Sequence, residues 1–188
     1  MTERLPPWRP LLKGARQREG RGSSARWLQL ASVAADGTPR IRTLVFRRWI
    51  NGDQLDLFSD QRSDKIDELN HQRHVELCWL LPKARQQFRL RGSISSFTTT
   101  TEPELCRTAW LSLTPQGRAV WSWPHPGQPF QADADFPEDV DDSMPMPDHF
   151  IVLRLKLDQV EQLDLKPHPH RRVRWCAADN WSEQRLNP

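Results

Sequence analysis

Alternation of apolar and polar residues begins early in the chain and marks its first half as β-structure. Residues 26–33, 40–50 and 54–59 each have the composition or the alternation of a strand. Asp36-Gly37 and Asn51-Gly52 stand between these segments, and both pairs favour tight hairpin turns. The pattern therefore predicts three consecutive antiparallel strands joined by hairpins.

Shorter elements flank this region. A basic helix is predicted over residues 11–21, and a second short helix over 64–70, whose first turn is acidic as the helix dipole favours. Strand patterns resume at 74–81 and 87–97, and residues 105–113 carry apolar side chains at helical spacing. The middle of the chain therefore alternates strands with short helices.

The last third of the chain begins with a segment that has no periodic pattern. Residues 123–147 are rich in proline and acid and are too long for an ordinary connection, so we predict a functional or mobile loop. Strands are predicted again at 150–157 and 171–176. Many short antiparallel strands with few helices indicate a mainly β fold of the α+β class, a small barrel in one domain spanning residues 1–188.

Composition narrows the cellular setting. Cys78, Cys106 and Cys176 are widely spaced and odd in number, which suits reduced thiols in a cytosol better than a disulfide framework. No run of uncharged apolar residues is long enough to span a membrane. His168 and His170 lack a convincing set of further ligands, so we predict no metal site. We expect a soluble cytoplasmic protein.

Charge is distributed unevenly, although the net charge is only +3. Residues 1–48 hold eleven Arg or Lys against three acids, whereas residues 131–148 hold seven acids and no Arg or Lys. A basic half of this kind needs an anionic partner or an acidic neighbour. The basic residues lie within alternating strand patterns rather than in a solvated tail, so we do not expect nucleic acid to be that partner.

Several short motifs are informative as a set, because the spacing between them also fits. They are Arg42-Thr43-Leu44-Val45-Phe46-Arg47, Phe58-Ser59, Ser63-Asp64-Lys65, Gln87 followed by Gly92, Pro145-Met146-Pro147 before Phe150, and the ending His170-Arg171-Arg172, Trp181 and Arg185-Leu186-Asn187-Pro188. Together they resemble pyridoxamine 5′-phosphate oxidases over roughly residues 23–97 and 145–188. The likeness is greatest to the oxidase-related subfamily of cyanobacteria and plants. It implies a six-stranded antiparallel split β-barrel that binds flavin mononucleotide (FMN).

The resemblance also implies which residues hold FMN. Arg42 and Lys65 would reach the phosphate, with Ser59 and Ser63 adding hydroxyl donors. Residues 43–45 would run beside the isoalloxazine ring and present backbone groups to its pyrimidine edge. Without the resemblance, the same side chains could be outward residues of half-exposed strands. The implied FMN contacts are Arg42, Thr43, Leu44, Val45, Arg47, Phe58, Ser59, Ser63, Lys65, Gln87, Gln128 and Arg172.

The substrate side departs from the family pattern. His168 stands where an arginine is expected, and Asp64 replaces a family cation. Residues 110–112 offer no clear counterpart to the substrate-phosphate residues of the middle helix. Arg47 stands where the family keeps a lysine for the substrate phosphate, which leaves an anionic substrate open. A buried phosphate dianion short of partners is costly, so we predict poor turnover of pyridoxamine or pyridoxine 5′-phosphate.

Three classes of function remain. The first is an FMN-dependent oxidoreductase, in which FMN takes a hydride from a reduced donor and passes electrons to oxygen or another acceptor. The second is a non-catalytic flavin- or tetrapyrrole-binding or sensing module, and the third is a basic nucleic-acid-binding barrel. We predict the first, acting on a small molecule other than the family's phosphorylated vitamer.

The resemblance further implies a homodimer with FMN at the subunit interface. The C-terminal block of one chain would complete the FMN site of the other. The nine tryptophans of the chain favour the same interpretation, as do Trp175, Trp181 and Leu186 near its end, because a solvated tail would not need them.

Overall fold

A computed structural model describes residues 5–188. Strands dominate these residues, and the helices among them are short. The helices are α1 (Trp8–Glu19), α2 (Lys65–His71), α3 (Pro103–Leu111) and α4 (Pro115–Ala119). The strands are β1 (Trp27–Val33), β2 (Pro39–Trp49), β3 (Gln54–Asp60), β4 (His74–Leu81), β5 (Gln86–Thr98), β6 (Phe150–Asp164), β7 (Arg171–Cys176) and β8 (Glu183–Leu186).

Six of the strands close into an antiparallel barrel. Their order is β3-β2-β1-β4-β5-β6, and β3 also pairs with β6, which closes the ring. The predicted hairpin between β1 and β2 is present, with Gly37 at a φ of 80° that glycine adopts without steric cost. β7 and β8 extend from β6 as an outer ribbon. The predicted six-stranded barrel is confirmed, and β8 is an addition to it.

Inward-facing side chains of the strands form the main core. α1 covers one end of the barrel, because Trp8 and Leu12 on one side of this helix are buried against the strands. Burying a side chain of this size contributes about 1.5–3 kcal/mol. The fully buried residues of the strands include Leu28, Leu30, Leu55, Leu57, Leu77, Trp79, Phe88 and Leu90.

The C-terminal tryptophans belong to this core. Trp175 is fully buried, and the ring centroid of Trp181 lies 5.7 Å from that of Trp8. Leu186 is half-buried and pairs with Arg172 across the β7–β8 ribbon. Trp175 and Trp181 thus pack within their own barrel, so their apolar side chains give no separate argument for a partner subunit, and the homodimer stays a prediction.

A second apolar cluster fixes the start of the long connection. Phe58, Trp110, Trp121 and Phe150 pack with their ring centroids 5.2–5.8 Å apart. The helix α4 was missed from sequence because proline and glycine occupy it, and α3 begins two residues before its predicted start. Residues 120–149 form no helix or strand. The predicted loop is therefore irregular in structure but anchored at its first residues.

Gly92 stands where β5 and β6 pack most tightly. The strand register shifts here, because Arg91 pairs with Gln159 and Gly92 pairs with Leu157, which leaves Asp158 as an extra residue in β6. A Cβ atom on Gly92 would lie 2.0 Å from the carbonyl oxygen of Lys156. Only glycine leaves room for this approach of two backbones at the bulge.

We expect Gly92→Ala to lower the free energy of unfolding by about 3 kcal/mol, because the clash is with backbone and cannot be relieved by a rotamer change. Gly14→Ala is the matched control. Its Cβ would have only the end of Arg18 within 4 Å, at 3.9 Å, so helix propensity should raise stability by about 0.5–1 kcal/mol. Urea unfolding of the two variants measures both effects, and equal stabilities would contradict the account of the bulge.

Candidate functional site

A cavity of about 480 Å³ opens beside the barrel. Strand β2 and the end of β3 form one side of it, and the loop between β3 and α2 forms its rim. Residues 120–136 of the long connection form the facing wall. The cavity therefore lies where three segments that are distant in sequence meet.

Lys65, Ser59 and Ser63 form a cation–hydroxyl cluster at the rim. The Lys65 Nζ donates to Ser59 Oγ at 3.1 Å and to Ser63 Oγ at 2.5 Å. Burial lowers the pKa of Lys65, and the nearby Arg42 lowers it further. Within residues 5–188, Lys65 forms no ion pair with a carboxylate. A cation held by two hydroxyls in this way is suited to a bound anion.

Arg47 is the second cation that faces the cavity. Its guanidinium carbon lies 5.4 Å from the ring centroid of Phe58, and its buried Nε has no hydrogen-bond partner within the described residues. Burial lowers the pKa of Arg47, and so does the charge of Arg26. A buried donor without a partner is costly. Arg47 therefore has a donor available to a ligand's carbonyl or anionic oxygen.

Arg42 lies in an adjoining recess rather than in the main cavity. Its Nη2 is 2.5 Å from Glu68 Oε2, and its Nη1 donates to Ser32 Oγ. Ser32 in turn donates to the same Glu68 carboxylate. Arg42 is thus already ion-paired, and its contact with the flavin phosphate stays a prediction. The recess also includes Lys65, so the two cations are neighbours.

The structure brings most of the predicted FMN contacts together. Outward-facing residues of β2 supply part of the cavity wall, and Gln128 reaches it from the long connection. Its amide is exposed. Nine of the twelve predicted contacts line the cavity, and they are Thr43, Leu44, Val45, Arg47, Phe58, Ser59, Ser63, Lys65 and Gln128.

Gln87 and Arg172 lie elsewhere on the chain. They line a separate recess on the outer face of β5, β6 and β7. Arg172 donates there to Glu161 from Nε at 3.1 Å and from Nη2 at 2.8 Å. One chain therefore does not bring these two residues to the main cavity.

Asp60 anchors the long connection to the rim, and sequence reasoning missed it. Arg62 donates to both oxygens of this carboxylate at 2.7–3.1 Å and also to the carbonyl of Trp123 at 3.2 Å. His149 contacts the carbonyl of Trp121 at 2.9 Å. Burial would raise the pKa of Asp60, but the hydrogen bonds from Arg62 hold it below its ordinary value. Hydrogen bonds to the carbonyl groups of Trp121 and Trp123 thus hold the start of the long connection against the rim of the cavity.

Aromatic rather than acidic residues of the connection face the cavity. Phe130 stacks on Phe136 with an interplanar angle of 19°, and Trp123 packs edge-on against Phe136. The acids of residues 131–148 do not line the cavity. The sequence signal for this wall is the occurrence of four aromatic residues and three prolines within 121–136.

Nowhere in residues 5–188 do three His, Cys, Asp or Glu side chains converge as a metal site would require. No helix in this range is long and apolar enough to cross a membrane.

The residues of the cavity fit FMN. Lys65, Ser59 and Ser63 offer a cation and hydroxyls for a terminal phosphate, and the unpartnered Arg47 Nε offers a donor for a ring or ribityl oxygen. The outer edge of residues 43–45 faces the same space. Fold and site together define a split-barrel protein that binds a flavin mononucleotide.

Comparison with known proteins identifies the family. Residues 5–98 match the family described as pyridoxamine 5′-phosphate oxidase, FMN-binding domain. The chain is 30% identical over 199 residues to pyridoxine/pyridoxamine 5′-phosphate oxidase 2 of Arabidopsis thaliana, with all of both chains covered. The chain therefore belongs to the pyridoxamine 5′-phosphate oxidase FMN-binding family, and its cofactor is FMN.

Solved structures agree with this assignment. A pyridoxamine 5′-phosphate oxidase-related, FMN-binding protein of Nostoc punctiforme has a TM-score of 0.89 and 32% identity, covering 98% of this chain and all of its own. PhzG of Burkholderia lata, solved with tetrahydrophenazine-1-carboxylic acid, has a TM-score of 0.79 and 19% identity, covering 99% of this chain and 94% of its own. At that identity, PhzG supports the fold alone.

We expect Lys65→Met to weaken FMN binding by about 10–100-fold, the scale of a lost charge-assisted contact. Thermal stability should change little, because the variant removes a desolvated cation that has no carboxylate partner in the described chain. Lys13→Met, on the exposed face of α1, is the control and should bind FMN normally. Fluorescence titration measures each Kd, and equal affinities for the two variants would remove Lys65 from the site.

The lowered pKa of Lys65 also predicts a pH effect. FMN affinity should fall as pH rises through a range below the usual lysine value of about 10, because the cation is lost earlier than in an exposed lysine. Lys65→Arg should abolish this decline, since a guanidinium keeps its charge. Titrations between neutral and alkaline pH would contradict the account if wild type and Lys65→Arg declined in parallel.

Proposed function

We propose that this protein is a homodimeric FMN-dependent oxidoreductase whose flavin lies between the subunits. The observation that carries the proposal is the separation of the predicted FMN contacts into two groups. One group lines the main cavity, and the other, Gln87 and Arg172, lines a recess on a different face. Two copies of the chain would bring the groups together, each main cavity facing the recess of the other copy.

An exposed apolar strip connects the two groups and supports the dimer. The outward positions of β1, β2 and β4 include Trp27, Ile41 and Leu80, which are 53%, 70% and 51% exposed. Trp27 pairs with Val45 of the cavity, and Leu80 pairs with Gln87 of the recess. Large apolar side chains that are exposed on one outer face of a barrel mark a surface for association. A second copy of the chain fits here, because it would cover the strip and complete both flavin sites.

Bound FMN supplies hydride and electron transfer between a reduced donor and an acceptor. The chain's part is to bind and orient. Lys65 with its two serines would hold the phosphate, and the outer edge of β2 would lie beside the ring. Trp123, Phe130 and Phe136 line the facing wall and would pack against a bound flavin or its substrate, which would limit the access of water.

The substrate side supports a small molecule other than a phosphorylated pyridine. Within residues 5–188, Arg47 is the only arginine or lysine besides Lys65 that lines the cavity, and Asp60 is paired with Arg62. A phosphate dianion needs several converging donors, whereas a flat molecule with at most one negative charge needs only one. The aromatic wall would pack against such a molecule.

The dimer is tested with Ile41→Lys. The substitution should be harmless to the fold of one chain, because the side chain is largely exposed, but it places a charge in the proposed interface. We expect a monomer in light scattering together with loss of bound FMN. Leu111→Lys changes an exposed leucine of α3 and should leave the dimer and its flavin intact. A monomeric wild type that retains FMN would overturn the shared site.

The function is tested by turnover of FMN-saturated protein with pyridoxine 5′-phosphate and oxygen, following hydrogen peroxide and pyridoxal 5′-phosphate together. The Arabidopsis relative carries the name of this activity, so it is the first substrate to try. We expect kcat/KM well below about 10⁴ M⁻¹s⁻¹. A value above that would identify the vitamer as the substrate. Bound FMN that no tested reduced donor can turn over would favour a non-catalytic binding module.

A further inference from the structure

One buried carboxylate organises the recess that contains Arg172. The Glu161 side chain is only 4% exposed and accepts hydrogen bonds from three arginines. Arg172 donates at 2.8 and 3.1 Å, Arg174 at 2.9 Å and Arg89 at 3.1 Å. Three guanidinium groups thus meet at one buried carboxylate on the outer face of the sheet.

Strand register explains the cluster. Glu161 of β6 stands directly between Arg89 of β5 and Arg174 of β7. Arg172 lies two residues before Arg174 on β7 and pairs with Leu163. Its side chain points to the same face and reaches Glu161 diagonally across the two strands. Residues two apart on a strand share a face, so all three arginines and the carboxylate point outward together.

The three arginines do not depend on Glu161 equally. Arg89 also pairs with Glu76 at 3.0 Å, whereas Glu161 is the only ion-pair partner of Arg172 within residues 5–188. Arg172 uses Nε and Nη2 on Glu161, and its Nη1 makes no hydrogen bond in the same range. A guanidinium group is planar and rigid. When Glu161 holds the edge formed by Nε and Nη2, the direction of Nη1 is therefore fixed as well.

Glu161 is ionised when it does this. Burial alone would raise the pKa of Glu161, but the hydrogen bonds from Arg172 and Arg174 hold it below its ordinary value. The carboxylate therefore carries its charge throughout the neutral range, and the fork of Arg172 remains held.

We propose that Glu161 is a positioning residue for the flavin site: it holds Arg172 with Nη1 directed at the FMN bound in the main cavity of the neighbouring subunit. The inference rests on the proposed shared site. Glu161 itself does not touch the flavin, and it acts only through Arg172.

The sign of the effect separates positioning from simple electrostatics. Removing a negative charge near an anionic cofactor should tighten binding if only the field matters. Loosening Arg172 should weaken binding instead. The two explanations also predict opposite changes in the flavin midpoint potential. Removing a negative charge alone should raise the potential, whereas releasing Arg172 should lower it, because a cation held near the flavin favours its reduced, anionic form.

The experiment is a double-mutant cycle on the FMN-loaded dimer, using Glu161→Gln, Arg172→Met and the double variant. We expect Glu161→Gln to raise the Kd for FMN about tenfold and to lower the midpoint potential. In the Arg172→Met background the same substitution should have no further effect on either quantity. Arg174→Met is the matched control, because Arg174 shares the carboxylate but does not line the recess, and it should change the Kd less than about twofold.

The possible results are distinguishable. An unchanged Kd in Arg172→Met would overturn the shared site itself. A weakened Arg172→Met together with unchanged or tighter binding in Glu161→Gln would overturn the positioning role alone, as would equal effects of Glu161→Gln in both backgrounds. If Glu161→Gln does not accumulate as a folded dimer, the cycle is run with Glu161→Asp. That variant keeps the charge, but its side chain is too short to hold all three arginines, so its effects should be intermediate.

Discussion

The contact between Lys65 and the hydroxyls of Ser59 and Ser63 constrains the rest of the site. A partly buried ammonium is costly unless a charge or dipoles compensate it. Two carboxylates near the lysine are already paired, Glu68 with Arg42 and Asp60 with Arg62. The lysine is therefore left to hydroxyls at the mouth of a cavity, where a phosphate can complete its coordination. Binding of an anionic cofactor offsets a cost that folding alone leaves in place.

The alternation of inward and outward side chains along each strand of the barrel places the other residues of the site. Inward positions form a core of leucine and aromatic residues, so the outward positions of the same strands are available for ligands and partners. On β2 these positions line the cavity, on β1 and β4 they form an apolar strip, and on β5 to β7 they form the arginine cluster around Glu161. One sheet surface thus carries both halves of the proposed flavin site and the face that would join them.

Local patterns in the sequence predicted much of this arrangement, and long-range pairing explains what they missed. Asp36-Gly37 and Asn51-Gly52 mark their hairpins because tight two-residue turns need backbone conformations that few residues other than Gly, Asn and Asp adopt. β6 continues past its predicted end at 157 because a bulge opposite Gly92 interrupts the alternation without ending the strand. The ion pair of Arg42 with Glu68, and the anchoring of Trp121 and Trp123 through Asp60, join residues that no periodicity relates. The sequence shows that the C-terminal tryptophans need to be buried, but it does not show whether they pack in their own barrel or against a partner subunit.

The central claim, that two chains complete each FMN site, is tested most directly by subunit complementation. Lys65→Met and Arg172→Met chains, each poor at binding FMN alone, are unfolded together and refolded, and the heterodimer is isolated with two different affinity tags. One of its two sites then has Lys65 and the partner's Arg172 both intact. The account predicts one tightly bound FMN per heterodimer, with the Kd of the wild type. A heterodimer that binds FMN no better than either variant homodimer would place the whole site within one chain.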